Sequence, residues 1–208
     1  MTVAAGAFVR QGGIIAAGEG RRLRRDGHSS SKPMVRVCGR PLIEHAVRRF
    51  VTAGIRRLTI IVNDASEDCR QWLSENAGDF ELDLIVRTTA SSYESFALVA
   101  ARLAGAPAAI ATVDGIMPAG DFRGFISAAA AVPAGAMLLG LTGFVDDDAP
   151  LWATLDPADG RIRQLGGESG SHVTAGLYVL PAERPPASAA RFEIGAGMGD
   201  DAWRGTLE

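Results

Sequence analysis

Short apolar runs alternate with longer segments of helical periodicity over roughly the first two thirds of the chain. Gly12 to Ala17 (GGIIAA) is apolar at successive positions, so it reads as a strand buried on both faces and central in its sheet. Pro41 to Gly54 places Leu42, Ile43, Ala46, Val47, Phe50 and Val51 at i, i+3, i+4 spacing, the pattern of an amphipathic helix. Pro41 suits its first turn and Gly54 ends it. Leu58 to Val62 is a second buried strand, and Asn63 to Ser66 a turn that caps a helix through Asn76. Leu82–Val86, Tyr93–Leu103, Ala108–Val113, Asp121–Ala131 and Met137–Leu141 continue as strand, helix, strand, helix and strand. Asp121 is expected to cap its helix and Pro133 to close it. Strands and helices alternating over short connections predict an α/β protein with a parallel sheet covered on both faces.

The last third changes pattern. Leu151 to Leu155 alternates, Asp156-Pro-Ala-Asp-Gly160 is rich in turn residues, and Arg161 to Leu165 returns, which predicts a hairpin. Val173 to Leu180 is a further strand. Beyond Pro181 the chain is dominated by Pro, Ala and Gly without periodicity, so an irregular segment of low order is expected. The predicted organisation is one domain over residues 1–180, split into a half at about 12–140 and a β region at about 141–180, then a tail over 181–208.

Composition narrows the class. The 208 residues are 47% hydrophobic and 22% charged, a soluble globular balance with enough chain for a full core. No apolar run reaches the ~18 residues that a membrane helix needs. The N-terminus lacks a basic stretch followed by an apolar one, so a cytoplasmic chain without membrane contact is expected. Cys38 and Cys69 form no Cys-x-x-Cys pair and read as free thiols in a reducing compartment.

A net charge of −3 argues against a general nucleic-acid binder. The charge is uneven, however. Arg21, Arg22, Arg24, Arg25, Lys32, Arg36 and Arg40 stand against the single acid Asp26 between Arg21 and Arg40. This basic island follows the strand Ile14–Ala17 and the turn Gly18-Glu19-Gly20. Strand, glycine turn and basic loop together present backbone N–H groups and cations to a phosphate. Leu23 breaks the Gly-x-Gly-x-x-Gly dinucleotide pattern, and no Gly-Lys-Ser/Thr follows to make a P-loop. In parallel sheets ligands bind beyond the carboxyl ends of strands. Gly18–Arg22 and Asp114 each follow such an end, which predicts one shared site. His28, His45 and His172 show no metal spacing, and Asp146-Asp147-Asp148 reads as an exposed turn. Trp72, Trp152 and Trp203 are too scattered for a stacking platform.

Ala16 to Leu23 (AAGEGRRL), Lys32-Pro33-Met34 and Gly39 to Ile43 (GRPLI), in that order, resemble the signature of the sugar-1-phosphate nucleotidylyltransferases. Ile110 to Asp114, Asp159-Gly-Arg-Ile162 and Thr174 to Val179 (TAGLYV) carry the resemblance on to about residue 180. It implies a Rossmann-like, GT-A-type fold: a mostly parallel central sheet flanked by helices, with a small mixed β region near the C-terminus. It implies that Arg22 and Lys32 are the catalytic cations, Lys32 over the transferring α-phosphate. Ala17, Gly18, Glu19, Gly20 and Arg21 would line the nucleotide, with Ser91 and Ser92 near the base. Asp114 would bind Mg²⁺, and Glu168, Thr174, Ala175 and Gly176 would line the sugar pocket. The implied partners are an NTP and a sugar 1-phosphate or similar small phosphate, with pyrophosphate released; a homo-oligomer is compatible.

The chain departs from the family pattern in several places. Arg21 stands for the usual Thr, Ser31 for Pro, Thr174 for Asn, and no sugar-contacting Lys follows Glu168. The family usually carries a second metal-binding Asp further on, for which Asp200 and Asp201 are the late acids here. These departures keep open an alternative, a catalytically weak or inactive NTP-binding relative with a regulatory role. An NAD(P)-type oxidoreductase is disfavoured by Leu23 and by the lack of an acid at the usual distance after the second strand.

Overall fold

The computed structural model describes residues 9–20, 23, 25, 27, 30–132, 135–145 and 150–183. The expectations for Arg21, Arg22, Arg24, Asp26, His28, Pro133, Asp146–Asp148, Asp200, Asp201, Trp203 and the tail beyond 183 lie outside the described residues. The first strand, β1, is Gln11–Ala16. A small hairpin of β2 (Arg36–Val37) and β3 (Arg40–Pro41) precedes helix α1 (Leu42–Thr52). Then come β4 (Arg57–Val62), α2 (Glu67–Asn76), β5 (Glu81–Val86), α3 (Ser92–Arg102), β6 (Ala108–Thr112) and α4 (Ala119–Ala128). Four strands follow among the described residues: β7 (Leu138–Thr142), β8 (Trp152–Leu155), β9 (Ile162–Leu165) and β10 (His172–Leu180).

Strands β5, β4, β1 and β6 lie side by side and parallel, with β1 at the centre as its all-apolar sequence requires. Side chains alternate strictly between two faces. Ile14 and Ala16 of β1, Ala109 and Ala111 of β6, and Leu177 and Val179 of β10 pack on one face with α1, α2 and α4. Ile15, Ile61, Ala108, Ile110 and Tyr178 face the other, with Val99 and Leu103 around α3. Gly12 and Gly13 let the helices approach this centre closely. A methyl on Gly12 would collide with Phe50 of α1, and one on Gly13 with Val99 of α3.

The structure corrects the expected sheet in one respect. Strand β7 does not extend the parallel array from β6. Instead β10 runs antiparallel between them, pairing Tyr178 with Ile110 on one side and with Leu139 on the other. Its first residues, His172 and Val173, also pair with β8, which forms the predicted hairpin with β9. The mixed β region is therefore continuous with the main sheet. A second correction concerns α4: it begins at Ala119 with Pro118 as the N-cap residue, so Asp121 lies within its first turn. An acid there still complements the helix dipole.

Candidate active site

The site grows from the ends of β1 and β6. After Ala16 the chain leaves the sheet through buried Ala17 and exposed Gly18 and Glu19. Asn63, at the end of β4, ties this exit down: its Nδ2 donates to the Ala17 carbonyl at 3.2 Å, and its Oδ1 accepts from Ala65 N–H at 3.0 Å. Gly20 sits at φ +60, in the left-handed region, and a methyl there would lie 3.0 Å from Lys32 Cβ. Lys32 opens a short 3₁₀ turn, Lys32–Met34, with Pro33 buried beneath it. The turn is anchored from α2, because Asp68 Oδ2 accepts from Ser31 N–H at 3.0 Å.

From this turn the Lys32 ammonium reaches Asp114, whose Oδ2 it meets at 2.6 Å. Both side chains keep access to solvent, at 30% and 46% exposure. Partial burial pushes the Asp114 carboxyl up. The Lys32 charge and hydrogen bond, a bond from Thr112 and its own amide outweigh that and hold it below the usual carboxylate range.

The far wall is the middle of β10. Thr174 pairs with Leu141 and Tyr178 with Leu139, so four residues of β10 span two of β7. This bulge bends the strand and re-aims its backbone. Gly176, at φ +65, lies so close to Thr112 that a methyl would collide with its hydroxyl. A methyl on Gly115 would sit 3.3 Å from the Ala175 carbonyl oxygen. Burial raises the Tyr178 phenol, and its hydrogen bond with Thr174 across the bulge works against that.

Thus Gly18, Gly20, Lys32, Asp114, Ala175 and Gly176 lie along one connected set of contacts at the strand ends. Among the other expected residues, one hydroxyl serves locally. Ser91 caps α3, accepting from Glu94 N–H at 3.1 Å while Glu94 accepts from Ala90 N–H, a reciprocal capping arrangement. Ser92 is exposed at the start of the same helix, and Glu168 is exposed between β9 and β10. Cys38 is exposed; Cys69 is buried, which with nearby Asp68 pushes its thiol up to about 12 and keeps it inert.

Two residues at the site were not singled out in the sequence. Thr112 reads there as one more strand position, but its hydroxyl serves the Asp114 carboxylate. Arg49 of α1 is only 6% exposed and donates through Nη1 to the Gly115 carbonyl. Burial lowers its pKa, against the pull of Asp114. A signal for Arg49 exists, since it follows Leu42 and Ala46 on the buried stripe of the helix.

A polar cavity of about 420 Å³ lies at the opposite ends of β1, β4 and β5. Its charges are mutually engaged, Arg102 with Asp83 at 2.8 Å and Arg57 with Glu81 at 3.5 Å. It therefore offers no surplus charge to a phosphate. Among the described residues no three His, Cys, Asp or Glu side chains gather as a metal cluster, and no helix is long and apolar enough to cross a membrane.

Residues 12–143 match the MobA-like NTP transferase domain family. Among curated proteins, the bifunctional protein GlmU of Bacillus mycoides is 24% identical over 152 residues, 73% of this chain. GlmU of Bacillus cereus matches to the same extent. The chain spans about a third, 32%, of the length of these relatives. Among solved structures, the inositol-1-phosphate CTP transferase of T. maritima superposes with TM-score 0.70 at 18% identity, over 86% of this chain and 72% of that one. A protein of Bacillus anthracis, described as a glucose-1-phosphate thymidylyltransferase and solved with sucrose, gives TM-score 0.69 at 20% identity, over 83% and 71%.

Proposed function

Because this chain belongs to the MobA-like NTP transferase domain family, we propose that it moves NMP from an NTP to a sugar 1-phosphate or similar small phosphate, releasing pyrophosphate. The single observation that carries this reading is the ion pair of Lys32 and Asp114, formed by residues 82 apart at neighbouring strand ends. A lysine and a carboxylate beside a glycine turn suit the handling of a phosphate with its divalent counter-ion. The names of the relatives, which concern inositol 1-phosphate and glucose 1-phosphate, favour an acceptor of that kind.

In this reading the acceptor's phosphate oxygen attacks the α-phosphorus in line. A new P–O bond forms, the α–β bridging P–O bond breaks, and its electron pair leaves with pyrophosphate. The acceptor oxygen is already anionic near neutral pH, so no side chain needs to take a proton. The backbone at Gly18 and Gly20, with Glu19 and Arg21 beside it, would hold the phosphates. Lys32 and Arg22 would stabilise the charge that builds on the α-phosphoryl oxygens. Ala17 would set the loop's exit, and Ser91 and Ser92 would lie toward the base. Thr174, Ala175, Gly176 and Glu168 would face the acceptor.

Mg²⁺ fits the donor set at Asp114. It is a hard cation that commonly takes one or two carboxylates and fills its shell with substrate phosphates and water, so a single half-exposed Asp suffices. Asp114 would hold it, and when bound it would neutralise phosphate charge and orient the leaving group. The domain division at about residue 140, the 181–208 tail and a cytoplasmic setting belong to the same reading.

The test is pyrophosphate release with Mg²⁺, each of the four NTPs and a panel of sugar phosphates. Lys32→Ala is expected to lower the rate by on the order of 10²-fold or more, and chelation of the metal to abolish it. No release by the wild-type chain with any pair overturns the reading.

A further inference from the structure

We propose that Arg49 is a positioning residue of the active site, holding the Asp114–Gly115 turn from beneath so that the Asp114 carboxylate meets its metal in a fixed orientation. This rests on the nucleotidyl-transfer reading given above.

Arg49 is a charge in the wrong place for stability. Arg49 occupies the apolar stripe of α1, with Ala46 before it and Phe50 beside it, and is 6% exposed. Only its Nη1 finds an acceptor, the Gly115 carbonyl; Nε and Nη2 are buried with no hydrogen-bond partner among the described residues. The guanidinium lies 5.8 Å from the centre of the Phe122 ring. A buried cation with donors left over is costly, and an apolar side chain of similar size would commonly serve the core as well or better.

What the arginine holds explains its presence better than packing does. Gly115 is the residue immediately after Asp114. Its carbonyl accepts from Arg49 of α1, and a methyl on its α-carbon would sit 3.3 Å from the Ala175 carbonyl oxygen of the β10 bulge. The residue that follows Asp114 is therefore bonded from α1 and closely faced by β10, which limits how the turn carrying Asp114 can shift. Phe122 of α4 packs edge-on against Phe50 at 4.9 Å and also carries the guanidinium, so the support reaches across both helices. Arg49 is too deeply buried to touch a substrate, and acts through Asp114.

Arg49→Met and Arg49→Lys in the full chain test this with three readouts. These are thermal unfolding, Mn²⁺ affinity by electron paramagnetic resonance with each of four α,β-methylene NTP analogues, and steady-state kinetics. The Met variant is expected to unfold at or above the wild-type temperature. Its Mn²⁺ affinity should nevertheless weaken about 10- to 100-fold, and kcat should fall while KM for the NTP changes little. The Lys variant should recover part of both losses. A Met variant that loses stability but keeps wild-type Mn²⁺ affinity and kcat overturns the proposal. If the Met variant does not fold, unchanged Mn²⁺ affinity in the Lys variant overturns it instead, and weakened affinity there supports it. The Mn²⁺ readout needs no turnover. A wild-type chain that binds Mn²⁺ with an analogue yet transfers nothing would defeat the reaction and leave the role of Arg49 measurable; no Mn²⁺ binding with any analogue would defeat both.

Discussion

Lys32 Nζ lies 2.6 Å from Asp114 Oδ2, joining the loop after β1 to the end of β6 across 82 residues of sequence. The pair makes a prediction about pH. Burial alone would raise the Asp114 carboxyl, and Lys32 with Thr112 and the local amide brings it below its ordinary value. A depressed carboxyl stabilises the fold above its unfolded value of about 4, and that contribution is lost as pH falls through the lower folded value. Lys32→Met removes the main downward causes and leaves burial in place. Its urea midpoint should fall below wild type near pH 7, with the difference closing as pH falls below the ordinary carboxylate range. A gap that stays constant as pH falls would show that the charge pair is not its source.

Asn63 gives a prediction about the loop after β1. It is 6% exposed and satisfies both the Ala17 carbonyl and the Ala65 N–H. Asn63→Ala should cost on the order of 2 kcal/mol by leaving buried polar groups unpaired. It should also weaken NTP binding, since the exit from β1 loses its tether. Denaturation and nucleotide titration of the same variant measure the two effects; unaltered NTP affinity would remove Asn63 from the loop's support.

Much of the fold was legible because burial and periodicity are local properties. The run at β1 had to be a central strand and that at β4 a buried one, and the turn at Gly18 could be placed beside Asp114 because ligands gather where parallel strands end; the place of Lys32 followed from the family resemblance. Strand partnership was not legible in the same way. Leu177 to Leu180 is as apolar as any core strand, yet nothing in that pattern says that it runs antiparallel and inserts beside β6. Arg49 was hidden by its neighbour Arg48, since two adjacent arginines on a helix read as a solvated face. Only the count from Leu42 and Ala46 separates them. Ser91 shows the reverse: a serine near the expected base pocket has a hydroxyl already engaged in capping α3.

That last point is measurable. Ser91→Ala should cost about 1 kcal/mol through loss of the cap, while Ser92→Ala, exposed on the first turn, should leave stability near wild type. An effect on NTP affinity in the Ser92 variant alone would then report a nucleotide contact free of helix destabilisation. Equal unfolding midpoints for the two variants would contradict the capping assignment.

Gly176 carries two constraints that can be separated. It holds a left-handed φ of +65, and its missing side chain makes room for Thr112. Gly176→Ala should destabilise the chain by on the order of 1–3 kcal/mol. Made in Thr112→Ala as the reference, the same change should cost less by the part due to collision and keep the part due to backbone strain. No loss of stability in that background would mean that the left-handed backbone carries no cost there.

The late arrival of β10 has a consequence for how the protein comes to be made. The segment matched by the family, residues 12–143, ends before β10 begins. Until His172–Leu180 is in place, β6 and β7 each present an unsatisfied backbone edge flanked by apolar side chains. Such edges recruit other chains, and pairing across so much intervening sequence closes slowly. During synthesis β6 and β7 therefore emerge before the strand that closes the seam between them. A chain cut near residue 143 should aggregate at that seam, so β10 acts as the fastener that makes the earlier strands safe.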